Sequence, residues 1–397
     1  MSAPTFTRHV IAPYGYLLTA VLAWPTSCLA ETDNPFSLRA SVSSQNDSNI
    51  FRQSAAASEQ ISTTSLGLGF KTRQSLQGAY VNVNLVDNKY QNFSYLNYTA
   101  TNYDAAWQFA VTPRLQGSLS CSWQESLNSY ADVRNTTTRY LNSNRSTRLD
   151  ASYDWDGAWS LSAGLGQTLQ NSQRDQVQGS DFTSTSSNLG LGYTFGSGSK
   201  ASISTQSSSG QYLDQPVTPG AIFDDSFSQT DNEMRLHWAV TATQAADLYV
   251  ANRSVTHPHV AARNYSGTVA GLSGNWAFSG KTSLSAGWAR ELSTYQTIDA
   301  NYSQTERITL GADWQILAKL GLVLRHDLAH ITYLGGPFPA FRSRRQDDVT
   351  NTTLALTWTP RSQCTVSASL QSSARTSNSP GLDYTSSLTA LTATLSF

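Results

Sequence analysis

Charge is scarce in this chain. Asp, Glu, Lys and Arg together make up 13% of its 397 residues, about half the usual share of a soluble protein. Apolar residues do not fill the gap. Mean hydropathy is −0.34, which excludes a bundle of membrane helices, and the polarity comes from Ser, Thr, Asn and Gln. Such a trade suits a membrane barrel, whose lumen and loops are polar while its outer face cannot hold charge. A formal net charge of −1 leaves no basic footprint for nucleic acid. Cysteine is nearly absent: beyond Cys28 there are only Cys121 and Cys364, each on the apolar face of its own predicted strand. They read as small hydrophobes, not as a disulfide framework. There is no HExxH, phosphate loop, nucleophile elbow or cysteine pair at ligand spacing, so the chain is read as a non-enzyme without metal or cofactor. His257-Pro258-His259 falls in a predicted outer loop with no carboxylate cluster near it in sequence, and reads as loop histidines.

Long apolar runs are also missing. The longest, residues 10–24, is broken by Pro13 and Gly15 and is too short to span a bilayer as a helix. It follows Arg8 and His9 and ends at Cys28-Leu29-Ala30. That is the pattern of a secretory signal cleaved after Ala30, leaving residues 31–397 as one barrel domain.

What the chain has in quantity is alternation with a period of two. At its end, Thr389, Leu391, Ala393, Leu395 and Phe397 share one face, with Ala390, Thr392, Thr394 and Ser396 on the other. The closing aromatic resembles the terminal assembly signal of bacterial outer-membrane barrels. The same alternation recurs from Phe36 onward, for example at Leu66, Leu68, Phe70 and at Leu149, Ala151, Tyr153, Trp155. About eighteen such stretches (16–18) are countable, an even number as a single-chain antiparallel barrel requires. Connections alternate in length. Short ones lie at residues 112–114, 156–158, 196–199, 279–281 and 359–363. Long ones lie at about 45–60, 126–146, 170–182, 210–228, 293–303 and 332–350. These features predict an all-β, transmembrane, antiparallel up-and-down β-barrel with short periplasmic turns and long extracellular loops.

Aromatic residues gather at the short-turn end. Phe70, Phe109, Trp155, Trp159, Phe195, Trp238, Phe278, Trp314, Trp358 and Phe397 form an expected periplasmic girdle. Trp238, Trp276 and Trp314 are spaced 38 residues apart, one hairpin plus one outer loop, so the repeat is architectural.

Positions opposite the apolar ones are the candidate lumen lining. In the first half they are Arg39, Tyr80, Asn82, Asn84, Gln116, Arg148, Asp150 and Asp154. In the second half they are Glu233, Arg235, His237, Tyr249, Arg307, Asp313, Arg325 and Asp327. Charges of opposite sign often lie two apart, as in Arg148/Asp150, Glu233/Arg235 and Arg325/Asp327. These could brace a wide barrel by ion pairs or guide a hydrated solute. In the last long loop Arg342, Arg344 and Arg345 stand beside Asp347 and Asp348, a candidate constriction with opposed charges.

Two stretches carry a family resemblance. Asp33-Asn34-Pro35-Phe36 with Asp47-Ser48-Asn49-Ile50-Phe51-Arg52 resembles the mature N-terminus of EpsL-type, exosortase-associated exopolysaccharide barrels. Tyr95-Leu96-Asn97-Tyr98, Trp107 and Thr112-Pro113-Arg114-Leu115-Gln116-Gly117 are similar to that family's first half, with Asn97 where it has Asp. The resemblance covers about residues 33–125. It implies a Gram-negative outer-membrane protein acting as exit channel or anchor in exopolysaccharide biosynthesis. Its implied partners are outer-membrane lipid, the polysaccharide chain and a periplasmic polysaccharide-export protein. A general porin for small solutes and a closed structural or adhesion barrel are the alternative readings.

Overall fold

Where side chains alternate, the chain forms strands. The computed structural model describes residues 34–132, 137–172, 181–213, 215, 221–336 and 344–397. The expected signal segment, Asp33 and Arg342 lie outside them. The first nine strands are β1 (Phe36–Asp47), β2 (Glu59–Gln74), β3 (Gln77–Tyr90), β4 (Tyr98–Ala110), β5 (Leu115–Leu127), β6 (Leu141–Asp154), β7 (Trp159–Asn171), β8 (Phe182–Thr194) and β9 (Lys200–Tyr212). The second nine are β10 (Ser226–Thr241), β11 (Gln244–Thr256), β12 (Tyr265–Ser279), β13 (Thr282–Thr294), β14 (Tyr302–Leu317), β15 (Leu320–Leu334), β16 (Gln346–Arg361), β17 (Cys364–Ser377) and β18 (Tyr384–Ser396). Each pairs antiparallel with its sequence neighbours, and β1 pairs with β18, which closes one 18-stranded sheet. Closure satisfies every ladder edge, which a bilayer demands because lipid offers no hydrogen bonds. Phe397 joins the seam by exchanging backbone hydrogen bonds with Leu38 at 2.8 and 2.9 Å.

The register puts apolar side chains on one face. Leu66, Leu68 and Phe70 of β2 stand opposite Leu85, Val83 and Val81 of β3, and these leucines and valines are exposed. They form the outward belt. Trp155 and Phe397 are 70% and 66% exposed at the short-turn end, where a membrane interface takes aromatic rings. With this belt and girdle the chain is a transmembrane barrel of the outer-membrane type. Short turns are held locally. Asp156 accepts the amides of Ala158 and Trp159 at 3.0 and 2.9 Å, and Gly157 takes φ 88° between them, a conformation glycine adopts freely.

The outer connections differ from the expected ones. Strands of 12 to 16 residues exceed the roughly 9–11 that cross a bilayer, so the barrel wall rises above the membrane. β5 runs to Leu127 and β6 begins at Leu141, inside the loop expected over 126–146; β16 begins at Gln346, inside that expected over 332–350. Above the belt the outward face no longer needs apolar residues, so the period-two signal fades while the ladder continues. Outer connections at 91–97 and 378–383 were not among those expected.

Candidate functional site: the lumen and its outer mouth

Residues opposite one another in an antiparallel pair share a face, so register alone places the predicted lining on the inner side. Arg39 stands between Ser396 and Gly67, and Asn84 faces the same glycine. Tyr80 lies beside Ala106, and Gln116 between Ala110 and Ser152. Asn82 donates to Asp104 at 3.0 Å. Arg148 binds Asp150 at 2.5 Å and Asn188 at 3.0 Å, while Asp154 faces Ser160 near the turn.

A charged stripe occupies β10 to β15. Arg235 binds Glu233 at 2.9 Å and lies over the Tyr249 ring. His237 meets Asp247 at 2.8 Å, and Arg253 grips Asp231 with two bonds of 2.9 Å. Arg307 stands between Ala289 and Ala329. Arg325 and Asp327, two apart on β15, take partners on the neighbouring strand β14. Arg325 reaches across to Asp313 at 2.9 Å, and Asp327 accepts from Thr309 at 2.8 Å. Charges two apart pair within one strand at Arg148/Asp150 and Glu233/Arg235, whereas Arg325 braces two strands, where cross-strand side chains come within reach. Away from the stripe the wall is mostly hydroxyl, amide and glycine, as along β7 and β17. Asp104, Asp231 and Asp247 join the lining although the sequence reading passed over them. The parity of their own strands would have marked all three.

The outer mouth is where side chains become buried. Phe51, Ile61, Tyr90, Leu96, Leu127 and Tyr130 form an apolar cluster with Phe93 edge-on to Phe51. It brings together both stretches that carried the family resemblance. Asp47 is chelated by Arg52 at 2.9 and 2.8 Å and accepts the Asn49 amide. Burial alone would raise the Asp47 carboxyl, but these donors, with Ser386, hold it below its ordinary value. Asn49 donates to Gln53 O and Thr385 O, and Asn97 accepts the Tyr90 amide at 2.7 Å. Those motif residues fold the mouth.

A second cluster ties loops across it. The β5–β6 connection brings Asp132 to Arg345 at 3.0 Å and to Arg375 of β17 at 2.8 Å. Both arginines also hold Asp347, at 2.7 and 2.5 Å, and Arg375 donates to Ala131 O at 2.7 Å. Asp347 is 0% exposed and Arg375 4%. Between β5 and β17 the ring runs through β4 to β1 and β18, so this is a strap over the mouth. Of the residues expected in a constriction loop, Arg345 and Asp347 belong to this strap. Arg344 and Arg345 precede β16, but Asp347 and Asp348 are strand residues. Asp348 points to the other face, where it meets His330 at 2.8 Å.

His257 and His259 have separate environments. His257 is buried beside Gln296 and Tyr212, and burial lowers its pKa. His259 is exposed and bonds Asp224 at 3.0 Å, with Asp225 at 3.3 Å, and the Asp224 hydrogen bond raises its pKa. The carboxylates absent from the local sequence thus come from the β9–β10 connection. Asp224, Asp225 and His259 place ligand-type atoms within 4.8 Å of one another, and the hydrogen bond to His259 accounts for that closeness. The two histidines should titrate in opposite directions from the ordinary 6.5. His257 contributes stability above 6.5 that is lost as pH falls, because the unfolded chain then takes up the proton first. His259 contributes stability below 6.5 that is lost as pH rises through its raised value. Imidazole NMR shifts followed from pH 5 to 8 check this, and a shared midpoint would refute it.

No family model matches the chain, and no curated protein sequence matches it. Solved structures do. OccK1 (OpdK) of Pseudomonas aeruginosa superposes with a TM-score of 0.53 at 10% identity, over 91% of this chain and 99% of that one. OccK3 (OpdO) of the same organism gives 0.53 at 12% identity, over 91% and 95%. OccAB4 of Acinetobacter baumannii gives 0.52 at 11% identity, over 92% and 99%. At these identities the likeness is one of fold.

Proposed function

We propose that the protein is a passive channel for small hydrophilic solutes. The observation that carries this is a closed 18-stranded ring whose inner face is mostly polar, as along β7 and β17, with apolar patches at Ala251 and Val269 and at Val323, Ala329 and Ile331; barrels of 16–18 strands leave an aqueous lumen. Paired charges and hydroxyls offer a solute weak, interchangeable hydrogen bonds, which suits passage better than retention. OpdK, among the similar structures, has been solved with vanillate, which agrees with a small organic solute.

Exit of an exopolysaccharide is a second reading. It is supported by the hydroxyl- and amide-rich wall, since amides and hydroxyls match sugar hydroxyls. The motif residues support it less, because Asp47, Asn49, Phe51, Arg52 and Leu96 are used in packing the mouth. Proteoliposome swelling in saccharides of increasing length separates the readings. A small-solute channel admits monosaccharides and shows a steep cutoff. Equal rates for long oligosaccharides would favour the polymer conduit, and no swelling at all would overturn both.

A further inference from the structure

Five of the short turns carry a cation and no carboxylate. Lys281 lies in the β12–β13 turn, Lys319 in the β14–β15 turn and Arg361 at the β16–β17 turn. Past the β18–β1 seam come Arg73 near the β2–β3 turn, then Arg114 in the β4–β5 turn. All five are exposed. Consecutive hairpins around more than half of the periplasmic rim therefore present a cation. The carboxylate of Asp156 sits outside this arc, in the β6–β7 turn.

The arc is built on a repeated local design. Register shifts occur at Ala277/Ser279, Gln315/Leu317 and Trp358/Arg361, beside the turn each time. A bulge bends the strand and re-aims the residues after it. On the outward face just before each lies a girdle tryptophan, Trp276, Trp314 or Trp358, each at least 40% exposed. Just after it comes Lys281, Lys319 or Arg361. Lys281 and Lys319 are 38 residues apart, as are Trp276 and Trp314. Ring and cation thus come as a unit. Indole rings settle at the headgroup level of a bilayer, so a cation a few residues further toward water stands at the phosphates. Lys319 also reaches the next turn, donating to Pro360 O at 2.7 Å, which keeps neighbouring cations on one contiguous surface.

We propose that this basic arc binds anionic phospholipid headgroups of the periplasmic leaflet. The chemistry that fits is a phosphodiester with net negative charge, adjacent to acyl chains that the belt already solvates. This goes beyond the channel reading and does not depend on an open lumen. An internal comparison exists within the fold. The β10–β11 hairpin has the same tryptophan, Trp238, and the same register shift at Ala239/Thr241, but Thr243 in place of the cation.

The test uses the whole mature chain folded into vesicles of phosphatidylcholine alone and of equal parts phosphatidylcholine and phosphatidylglycerol. Tryptophan fluorescence is quenched by either brominated phosphatidylglycerol or brominated phosphatidylcholine, which reports which lipid sits against the girdle. A juxtamembrane cation is worth enough to give about a fivefold preference for the anionic lipid, weakened by salt. The triple variant Lys281→Gln, Lys319→Gln, Arg361→Gln should lose that preference while keeping its strand content. Thr243→Lys should increase it, and this gain does not hinge on a variant that folds poorly. Equal quenching by both lipids in the unmodified protein, or a preference that survives the triple variant, overturns the proposal. An acidic periplasmic protein that binds the rim in detergent while lipid preference is absent would overturn it equally and assign the arc to that partner.

Discussion

Replacing Arg375 by Ala should open the outer mouth. The guanidinium sits between two carboxylates, Asp132 at 2.8 Å and Asp347 at 2.5 Å, with Ala131 O as a third acceptor. Removing one member of a buried pair leaves charge without compensation, which costs about 3–5 kcal/mol. Arg345 still reaches both carboxylates, so the single change belongs at the lower end of that range. The strands beneath are held by their own ladders, and the strain therefore falls on the β5–β6 connection. Single-channel conductance in planar bilayers should rise, and swelling should admit larger saccharides. Asp132→Asn should act in the same direction more weakly, because it keeps the shape and one acceptor. Unchanged conductance in Arg375→Ala and in the double variant with Arg345→Ala would show that the strap does not limit the lumen.

The second large effect is expected at Glu59. Its carboxylate is buried and has four backbone donors. Gln60, Gln91 and Asn92 reach Oε1 at 2.8, 2.9 and 2.9 Å, and Phe93 reaches Oε2 at 2.7 Å. Converging amides make an anion site of the kind that backbone nests provide. Here the anion belongs to the chain and fastens the β3–β4 connection to the start of β2. Glu59→Gln turns one oxygen into a donor, so at least one amide faces another N–H. A hydrogen bond to a charged group is worth about 1.5–3 kcal/mol, and a loss of about that size is expected. Hydrogen exchange should show faster amides at residues 91–93 with little change in the barrel ladder. Unaltered protection there would mean the site is held by the Phe51 and Leu96 packing alone.

How much of the barrel was legible in the sequence depends on what each residue answers to. Within the membrane every outward side chain faces lipid, so Leu66, Leu68 and Phe70 had to alternate with Ser65, Gly67 and Gly69. That constraint made strand number, parity and the inner faces readable one strand at a time. Above the membrane it lapses. Ser143 and Arg145 obey no rule that distinguishes strand from loop, although the ladder runs through them to Asn171 and Leu169. The strap and the Glu59 site were beyond reach for a different reason. Asp132 meets Arg375 across 243 residues of sequence, and only the circular order of strands brings them together. Asp224 and His259, 35 apart, are similar: a search for metal or catalytic spacing sees neither carboxylate near His257-Pro258-His259. The motif stretches were visible as motifs, but their packing together was not, since Phe51 and Leu96 meet through folded connections.

The seam between β1 and β18 has a kinetic consequence. Arg39 pairs with Ser396 and Asp47 with Leu388, which joins the two ends of the barrel across almost its whole sequence. Contacts so distant along a chain repay their closure entropy last and slow the reaction that forms them. Until the final strand arrives, β1 and β17 each offer an open edge, and an open edge in water is a template for another chain. The carboxyl-terminal residues therefore act as a commitment step.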